Sequence, residues 1–199
     1  MFRRSRSPVL VAAVLMVSMG LRLAPWGQNR FLEDEALYAA WGLQIATGAD
    51  PMLDGEPVDK PPLYPYVLAA SFRLTGSTQG GRAAETAARL PSLLASVASV
   101  ALVYALARAL YPGQQDDGLP ALAALLLALS PFDVLFASTA FTDPLLVALG
   151  LGALLAAARG RAGTAGLLAG LAAATKQQGL LFLPLVVAAG ALGPGLRRG

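Results

Sequence analysis

Residues 87–111 read AARLPSLLASVASVALVYALARALY, a stretch in which Arg89 and Arg108 are the only charged side chains. A helix that crosses a bilayer needs about 20 mostly apolar residues, so this stretch predicts a membrane-spanning helix. The composition of the whole chain agrees, because its 199 residues are 56% hydrophobic and only 14% charged. An ordinary soluble domain carries about 25% charged residues. The sequence therefore predicts an α-helical membrane protein.

Further apolar segments lie on both sides of this helix. They occupy residues 8–25, 119–141, 144–158 and 164–192. The last is interrupted by TKQQG at residues 175–179, so it forms either one long helix or two short helices that reverse direction there. Reversal is favoured because it places the C-terminal arginines on the cytoplasmic side. Residues 63–76 are short for a span and contain Pro65 and Arg73, which favours an interfacial helix.

The basic residues predict the orientation of this bundle. Arginines precede the first span, separate the fourth apolar segment from the fifth and end the chain: Arg3, Arg4, Arg6, Arg159, Arg161, Arg197 and Arg198. Cytoplasmic loops carry such an excess of positive charge, so the N-terminus is expected in the cytoplasm and residues 34–66 outside. A cleaved signal peptide is the alternative, but the long first apolar run lacks a clear cleavage site.

These patterns together predict an all-α, polytopic bundle with about five to six membrane segments and a structured outer loop. We expect one membrane-embedded module, with the first span in residues 1–25 and the remaining spans in residues 87–199. Residues 26–86 between them form the outer loop, which carries amphipathic helices near the membrane surface.

The residue types that are missing restrict the chemistry. The chain has no Cys and no His, which excludes a thiol nucleophile and removes the usual zinc ligand and general base. Its net charge of +3 comes from basic residues scattered at the ends of apolar stretches, a pattern that argues against nucleic-acid binding. Any chemistry must therefore use carboxylates, lysine, arginine, hydroxyls and aromatic side chains.

The polar loop at residues 34–66 reads DEALYAAWGLQIATGADPMLDGEPVDKPPLYPY. Its first half predicts an amphipathic helix with one apolar stripe: Leu37, Tyr38, Trp41 and Ile45. Asp34 is placed to cap the start of this helix, and Gly48 to end it. Because Trp and Tyr favour the headgroup level of a bilayer, we expect the helix to lie flat on the outer membrane surface.

Residues 34–76 and 87–111, taken in order, resemble the N-terminal module of GT-C membrane glycosyltransferases. ALSPFDVLFASTAFTDPLLVALGLGALLAA and LLAGLAAATKQQGLLFLPLV continue the likeness. More narrowly, the chain is similar to the superfamily of protein O-mannosyltransferases and lipid A aminoarabinose transferases. The resemblance implies transfer of a sugar from a polyprenyl-phosphate carrier to a protein, lipid or glycan acceptor on the outer face. It also implies that these 199 residues are either a fragment of a longer protein or a module that cannot complete the reaction alone.

The resemblance also implies roles for residues of the outer loop. Asp34 matches the acidic residue that activates the acceptor, with Glu35 beside it, and a carboxylate that accepts a proton suits that step. Lys60 is expected to contact the carrier phosphate, while Asp59 either orients Lys60 or contributes to a metal site. Tyr64, in the same motif, is assigned to substrate binding.

Residues further along the chain match the same family pattern. Asp143 is either a helix cap before Pro144 or an active-site carboxylate. Lys176 matches a family Thr-Lys-Gly sequence, although two extra glutamines follow it here, and it is expected to face the carrier pocket. Arg89 matches as well, with a structural role. Acidic side chains alone could hold Mg²⁺ or Mn²⁺, which leaves a divalent cation open.

A membrane scaffold or a transporter is the alternative function. A transporter favours polar groups at the middle of the membrane, whereas the polar groups of this chain concentrate at its outer boundary. The transferase is therefore the favoured interpretation, with membrane lipid, a sugar donor and an acceptor as partners. The small-residue bias and the lack of a eukaryotic targeting signature indicate a bacterial inner membrane.

Overall fold

A computed structural model of the protein describes residues 7–27, 30–56, 58–111 and 117–196. All regular secondary structure in these residues is helical, which confirms the all-α prediction. The helices are α1 (Ser7–Leu23), α2 (Glu33–Thr47), α3 (Leu63–Thr75), α4 (Gly81–Leu110), α5 (Gly118–Ala128), α6 (Pro131–Ala137), α7 (Asp143–Ala158), α8 (Ala162–Thr175) and α9 (Phe182–Leu196), with a 3₁₀ turn at Gln177–Leu181 between α8 and α9.

Within the described residues, α4 is the one helix that is long and apolar enough to cross a membrane. Helices α5 and α6 would supply a second crossing if they are counted together, but they meet at a bend of 59°. The bend falls at Ser130 and Pro131, where proline removes a helical hydrogen bond. The remaining apolar helices are shorter, so the prediction of five to six membrane segments is not confirmed.

Helices α2 and α3 pack against each other and run in the same direction. Tyr38 of α2 contacts Tyr64 of α3, and near the other end Arg73 of α3 donates to the Ile45 and Ala46 carbonyls of α2. Both helices end at a glycine in the left-handed conformation, as was predicted for the first of them: Gly48 (φ 77°) and Gly76 (φ 67°). The connecting chain, residues 48–62, therefore runs back from the end of α2 to the start of α3.

The interface between α2 and α3 corrects the expected role of the α2 aromatic stripe. Tyr38, Trp41 and Ile45 are buried against α3 and its neighbours, whereas Leu37 is exposed. The aromatic side chains thus hold α2 to α3 instead of anchoring α2 at lipid headgroups, because burial inside the protein removes more of their apolar area from water.

The start of α2 also differs from the prediction. The N-cap residue is Leu32, so Asp34 lies in the first turn and is not the cap. The Leu32 N–H instead donates to the Glu35 carboxylate, at 2.9 Å. A glutamate at the third helical position can satisfy the first backbone donor in this way.

Helices α8 and α9 reverse direction at residues 176–179, as the interrupted apolar segment predicted. The amine of Lys176 contacts Asp143 at the start of α7, while Ala165 near the start of α8 packs on the C-terminal end of α7. Phe182 then lies against Gly150, so α9 runs back alongside α7. A Cβ atom at Gly179 would lie 2.3 Å from the Ala172 carbonyl carbon, so glycine is what allows this close turn.

Candidate functional site

The charges of four side chains act on the hydroxyl of Tyr38, at the end of the bundle where α2 and α7 begin. Lys60, Asp34, Asp143 and Asp59 all lie close enough to influence its ionisation. The ring of Tyr38 packs edge-on against Trp41 and Tyr64, with ring centroids 5.8 and 5.4 Å away. We call Asp34, Tyr38, Asp59, Lys60 and Asp143 the outer cluster.

Tyr38 is the least exposed residue of the outer cluster. Burial is the main cause that raises the pKa of Tyr38 above its ordinary value; Lys60 opposes the shift, and Asp34, Asp143 and Asp59 add to it. Because the raised pKa keeps the phenol protonated at neutral pH, it can donate a hydrogen bond. It makes no hydrogen bond to any other residue that the structure describes.

Asp34 presents a free carboxylate at the edge of the outer cluster. It lies in the first turn of α2, is exposed, and forms no ion pair or hydrogen bond within the described part of the chain. Its charge still reaches Lys60 and Tyr38. A carboxylate in this position has both oxygens available to accept a proton or a hydrogen bond.

Lys60 supplies positive charge from the loop that precedes α3. Its amine lies 3.3 Å from the Asp59 carboxylate, and about half of the Lys60 side chain is exposed. The hydrogen bond and the charge of Asp59 raise the pKa of Lys60 above its ordinary value. Pro61 and Pro62 follow directly and restrict the backbone, so the amine is held near the cluster.

Asp143 joins the outer cluster to the reversal between α8 and α9. It is the first residue of α7, where Thr142 is the N-cap residue and makes no capping hydrogen bond through its side chain. The Asp143 carboxylate accepts a hydrogen bond from the Lys176 amine at 2.8 Å, and both side chains remain partly exposed. The N-cap residue of α7 is Thr142 and not Asp143, so the prediction of a helix cap is wrong. The role of Asp143 as an active-site carboxylate stays a prediction.

Glu35 lies behind the outer cluster. Its side chain is 1% exposed, and its carboxylate pairs with Arg89 at 3.1 Å and accepts the Ala140 N–H at 2.8 Å. Together with the bond from Leu32, these contacts occupy both carboxylate oxygens. Glu35 therefore ties α2 to α4 and to the connection before α7, and Arg89 has the structural role that was expected.

Tyr64 is buried next to the outer cluster, where its ring contacts Tyr38. The residue is fully buried, and its hydroxyl lies 3.1 Å from Ser92 Oγ on α4. Burial is the largest cause of a raised pKa of Tyr64, so its hydroxyl stays protonated. Tyr64 thus contacts α2 through its ring and α4 through its hydroxyl. The assignment of Tyr64 to substrate binding stays a prediction.

The acidic residues are also candidate ligands for a metal ion. Among the described residues, no three carboxylates lie close enough together to hold a metal ion. Asp59 is engaged with Lys60 and Asp143 with Lys176. In this structure both of these carboxylates are thus paired with lysines.

Two structural features escaped the sequence reasoning. Tyr38 was assigned only to an apolar stripe, although the charges of Lys60, Asp34, Asp143 and Asp59 all act on its hydroxyl. Arg22 and Asp133 form a buried ion pair between α1 and α6. A sequence signal for that pair existed, because an ionisable residue within an apolar segment is a candidate for a specific role.

Comparison with known proteins identifies the class to which the chain belongs. Residues 59–198 match the dolichyl-phosphate-mannose-protein mannosyltransferase family. Since the match covers well over half of the 199 residues, the chain belongs to this family, whose members are integral membrane glycosyltransferases of the GT-C type. The matched region includes Asp59, Lys60, Asp143 and Lys176 but begins after Asp34. No curated protein and no solved structure matches the chain.

Proposed function

We propose that the protein transfers a sugar from a polyprenyl-phosphate carrier to an acceptor on the outer face of the membrane, with inversion at the anomeric carbon. The observation that carries this proposal is the outer cluster, in which a free carboxylate, Asp34, lies near a positively charged amine, Lys60. Family membership supplies the reaction class. The polyprenyl-phosphate carrier and the acceptor on the outer face are proposed in addition to this reaction class.

Two charged groups of the outer cluster suit the two parts of such a transfer. Asp34 accepts the proton of the acceptor hydroxyl or amine as that group attacks the anomeric carbon. The bond between the anomeric carbon and the phosphate oxygen breaks, and the carrier phosphate leaves with the bonding electrons. Lys60 stabilises the negative charge that develops on this phosphate. A single displacement of this kind inverts the configuration.

Two further residues support the same reaction. The protonated hydroxyl of Tyr38 offers a hydrogen-bond donor to an oxygen of the phosphate or the sugar. Lys176, held by Asp143 at 2.8 Å, places a second cation near the same end of the bundle. Lys60 and Lys176 are the only two lysines of the chain, and a compact ammonium group suits contact with a phosphate.

The orientation of the protein follows from the same proposal. Residues 34–66 face the periplasm or the exterior of a bacterial inner membrane, and the N-terminus lies in the cytoplasm. A lipid-linked donor reaches the outer cluster from the bilayer, and a protein, lipid or glycan acceptor reaches it from the aqueous side.

Release of free polyprenyl phosphate from polyprenyl-phosphate sugars tests this function. The intact protein, in membranes, is compared with Asp34→Asn and Lys60→Ala at equal expression. We expect both variants to lose at least about 100-fold in turnover, the range in which a positioned base or a charge-stabilising group contributes.

A matched control is available in the same loop. Asp54 is exposed and only its backbone N–H makes a hydrogen bond, to Asp50, so Asp54→Asn removes a nearby charge without touching the outer cluster. We expect this variant to keep its turnover. Equal turnover in all four proteins, or none in any, would contradict the proposal and favour a scaffold.

A further inference from the structure

A buried ion pair lies at the bend between α5 and α6, away from the outer cluster. Arg22 is completely buried, and the exposed fraction of the Asp133 side chain is 12%. The Arg22 guanidinium pairs with Asp133 and donates to Ser96 Oγ (2.6 Å) and to the carbonyls of Ser18 (3.0 Å) and Ala128 (3.1 Å). Residues of α1, α4, α5 and α6 thus meet at one arginine.

The bend explains why a charge is needed at this point. Helix α5 ends at Ala128, and the last carbonyls of a helix have no partner within the helix. Arg22 provides one for Ala128. Ser96 accepts from Arg22 and donates to Asp133 Oδ2 at 2.7 Å, which completes a closed network around the start of α6.

Stability alone does not account for this pair. Replacing a buried ion pair with apolar side chains of similar volume is often neutral or stabilising, because removing both charges from water is costly. What the pair offers instead is a defined geometry, since several directional hydrogen bonds must be satisfied together.

The segment that begins at this network ends at the outer cluster. Beyond α6, the Ala140 N–H donates to Glu35, and the Phe141 carbonyl accepts from Ser92 Oγ at 3.1 Å. Asp143 follows two residues later. The stretch from residue 131 to residue 142 is therefore held at its start by Arg22 and at its end by α2 and α4.

We propose that Arg22 and Asp133 are positioning residues for the outer cluster. They fix the direction of α6 and, through residues 138–142, the place of the Asp143 carboxylate. This inference rests on the proposed function for its effect on turnover, but its structural part concerns only the position of α6 and is measured separately.

Distance measurement by spin labelling tests the structural part. The chain has no Cys, so labels at Leu37→Cys on α2 and Leu135→Cys on α6, both exposed in the structure, report one distance. We expect a narrow distribution in the parent protein. In the double variant Arg22→Met/Asp133→Leu, which removes both charges, we expect a clearly broader or shifted distribution.

A second ion pair on α4 serves as the matched control. Arg30 pairs with Glu85 at 3.0 Å, but the Arg30 side chain is 69% exposed. Arg30→Gln/Glu85→Gln removes a charge pair of the same kind without touching α6, and its distance distribution should equal that of the parent.

The kinetic readout separates positioning from general damage. We expect the Arg22→Met/Asp133→Leu protein to lose about tenfold or more in kcat with little change in the KM for the lipid-linked donor, because small displacements of reacting groups are costly. Ser96→Ala, which removes only the bridging hydroxyl, should broaden the distribution less and lose less kcat. If the double variant fails to fold, Ser96→Ala decides the question.

The outcomes distinguish this inference from the proposed function. An unchanged distance distribution overturns the positioning role, whatever the activity. A changed distribution with unchanged kcat overturns the link to Asp143 if Asp34→Asn and Lys60→Ala are inactive. If those two variants also retain full turnover, the proposed function fails instead, while the distances still report whether Arg22 and Asp133 place α6.

Discussion

Two adjacent carboxylates at the start of α2 have opposite surroundings. Successive residues of a helix point about 100° apart, so Asp34 faces the solvent while Glu35 faces α4. Glu35 satisfies Arg89 and two backbone donors, and its side chain is almost fully buried. Asp34 has no such partner within the described chain. The two residues should therefore respond differently to the loss of their charge.

Neutralising each of these carboxylates separates stability from function. Glu35→Gln leaves Arg89 buried without its counter-charge and should lower the free energy of unfolding by about 3 kcal/mol, in the range of a broken buried pair. Asp34→Asn should change it by less than about 0.5 kcal/mol, as exposed substitutions do. Thermal unfolding of the purified protein, followed by tryptophan fluorescence, measures both effects.

Per folded molecule, Asp34→Asn should lose more turnover than Glu35→Gln. Asp34→Asn is expected to be folded and inactive, while the folded fraction of Glu35→Gln retains part of its activity. A stable but inactive Glu35→Gln protein, together with an active Asp34→Asn protein, would exchange the roles assigned to the two residues.

The charge state of Lys60 depends on its neighbour. Asp59 raises the pKa of the Lys60 amine through a hydrogen bond and its charge, so the protonated form is favoured and persists to higher pH. Asp59→Asn removes the charge and leaves only a neutral acceptor, and it should lower this pKa towards its ordinary value. The rate of amine modification at Lys60, followed by mass spectrometry from pH 8 to 11, should therefore rise at lower pH in the variant.

Lys176 provides an internal control in the same experiment. Its partner is Asp143, which Asp59→Asn does not alter, and the chain has no third lysine. The modification profile of Lys176 should be the same in both proteins. If the profile of Lys60 also stays unchanged, the Asp59 contact does not govern its protonation.

At the scale of elements, the contact of α2 with α3 depends on one glycine. A Cβ atom at Gly42 would lie 2.7 Å from Leu68 Cβ and 3.1 Å from the Phe72 ring. Distances this short require the two helices to separate. Because Tyr38 and Trp41 pack in the same interface, separation would also displace the outer cluster.

Gly42→Ala should therefore destabilise the protein, although alanine is the better helix former. Overpacking of this kind costs about 1–3 kcal/mol, measured as a lower midpoint of thermal unfolding. Gly170 in α8 is the matched control, since nothing lies within 4 Å of its added Cβ atom. Gly170→Ala should be neutral or slightly stabilising, and an equal effect of both substitutions would argue against the close contact.

At the scale of the whole molecule, α4 carries a row of polar side chains that connects it to several other helices. One side of this helix carries Glu85, Arg89, Ser92 and Ser96, spaced four, three and four residues apart. Their partners come from the α1–α2 connection, α2, α3, α6 and α1. The longest helix, which is also the one long and apolar enough to cross a membrane among the described residues, thus carries a row of polar contacts to four other helices and to the α1–α2 connection.

Opposite ends of the bundle should face opposite sides of the membrane. Met52 lies in the loop between α2 and α3, and Gly163 lies at the start of α8, where α7 has returned from the outer cluster. In a protein without native cysteine, Met52→Cys should react with a membrane-impermeant maleimide in intact cells. Gly163→Cys should react only after the cells are permeabilised.

Reaction of both cysteines from the outside would contradict the proposed orientation. It would mean that α7, whose 16 residues span about 24 Å, does not separate the two aqueous sides. Both residues are exposed in the structure. If neither cysteine reacts with the maleimide in permeabilised cells, a segment outside the described residues covers them, because the described residues do not bury them.

The sequence by itself determined the helical class, the glycine that ends α2 and the family, because apolar periodicity, helix-ending residues and local motifs depend on near neighbours. It favoured the break at residues 176–179 over one long helix, and the tertiary structure decided between them. The tertiary structure alone decided which polar residues are used internally. Asp34 and Glu35 look equivalent in the sequence, and so do Tyr38 and Tyr64. Only the packing of α2, α3 and α4 leaves Asp34 exposed and buries Glu35, since burial and ion pairing depend on residues far apart in the chain. The partnership of Arg22 with Asp133, 111 residues apart, exists only in the folded protein for the same reason.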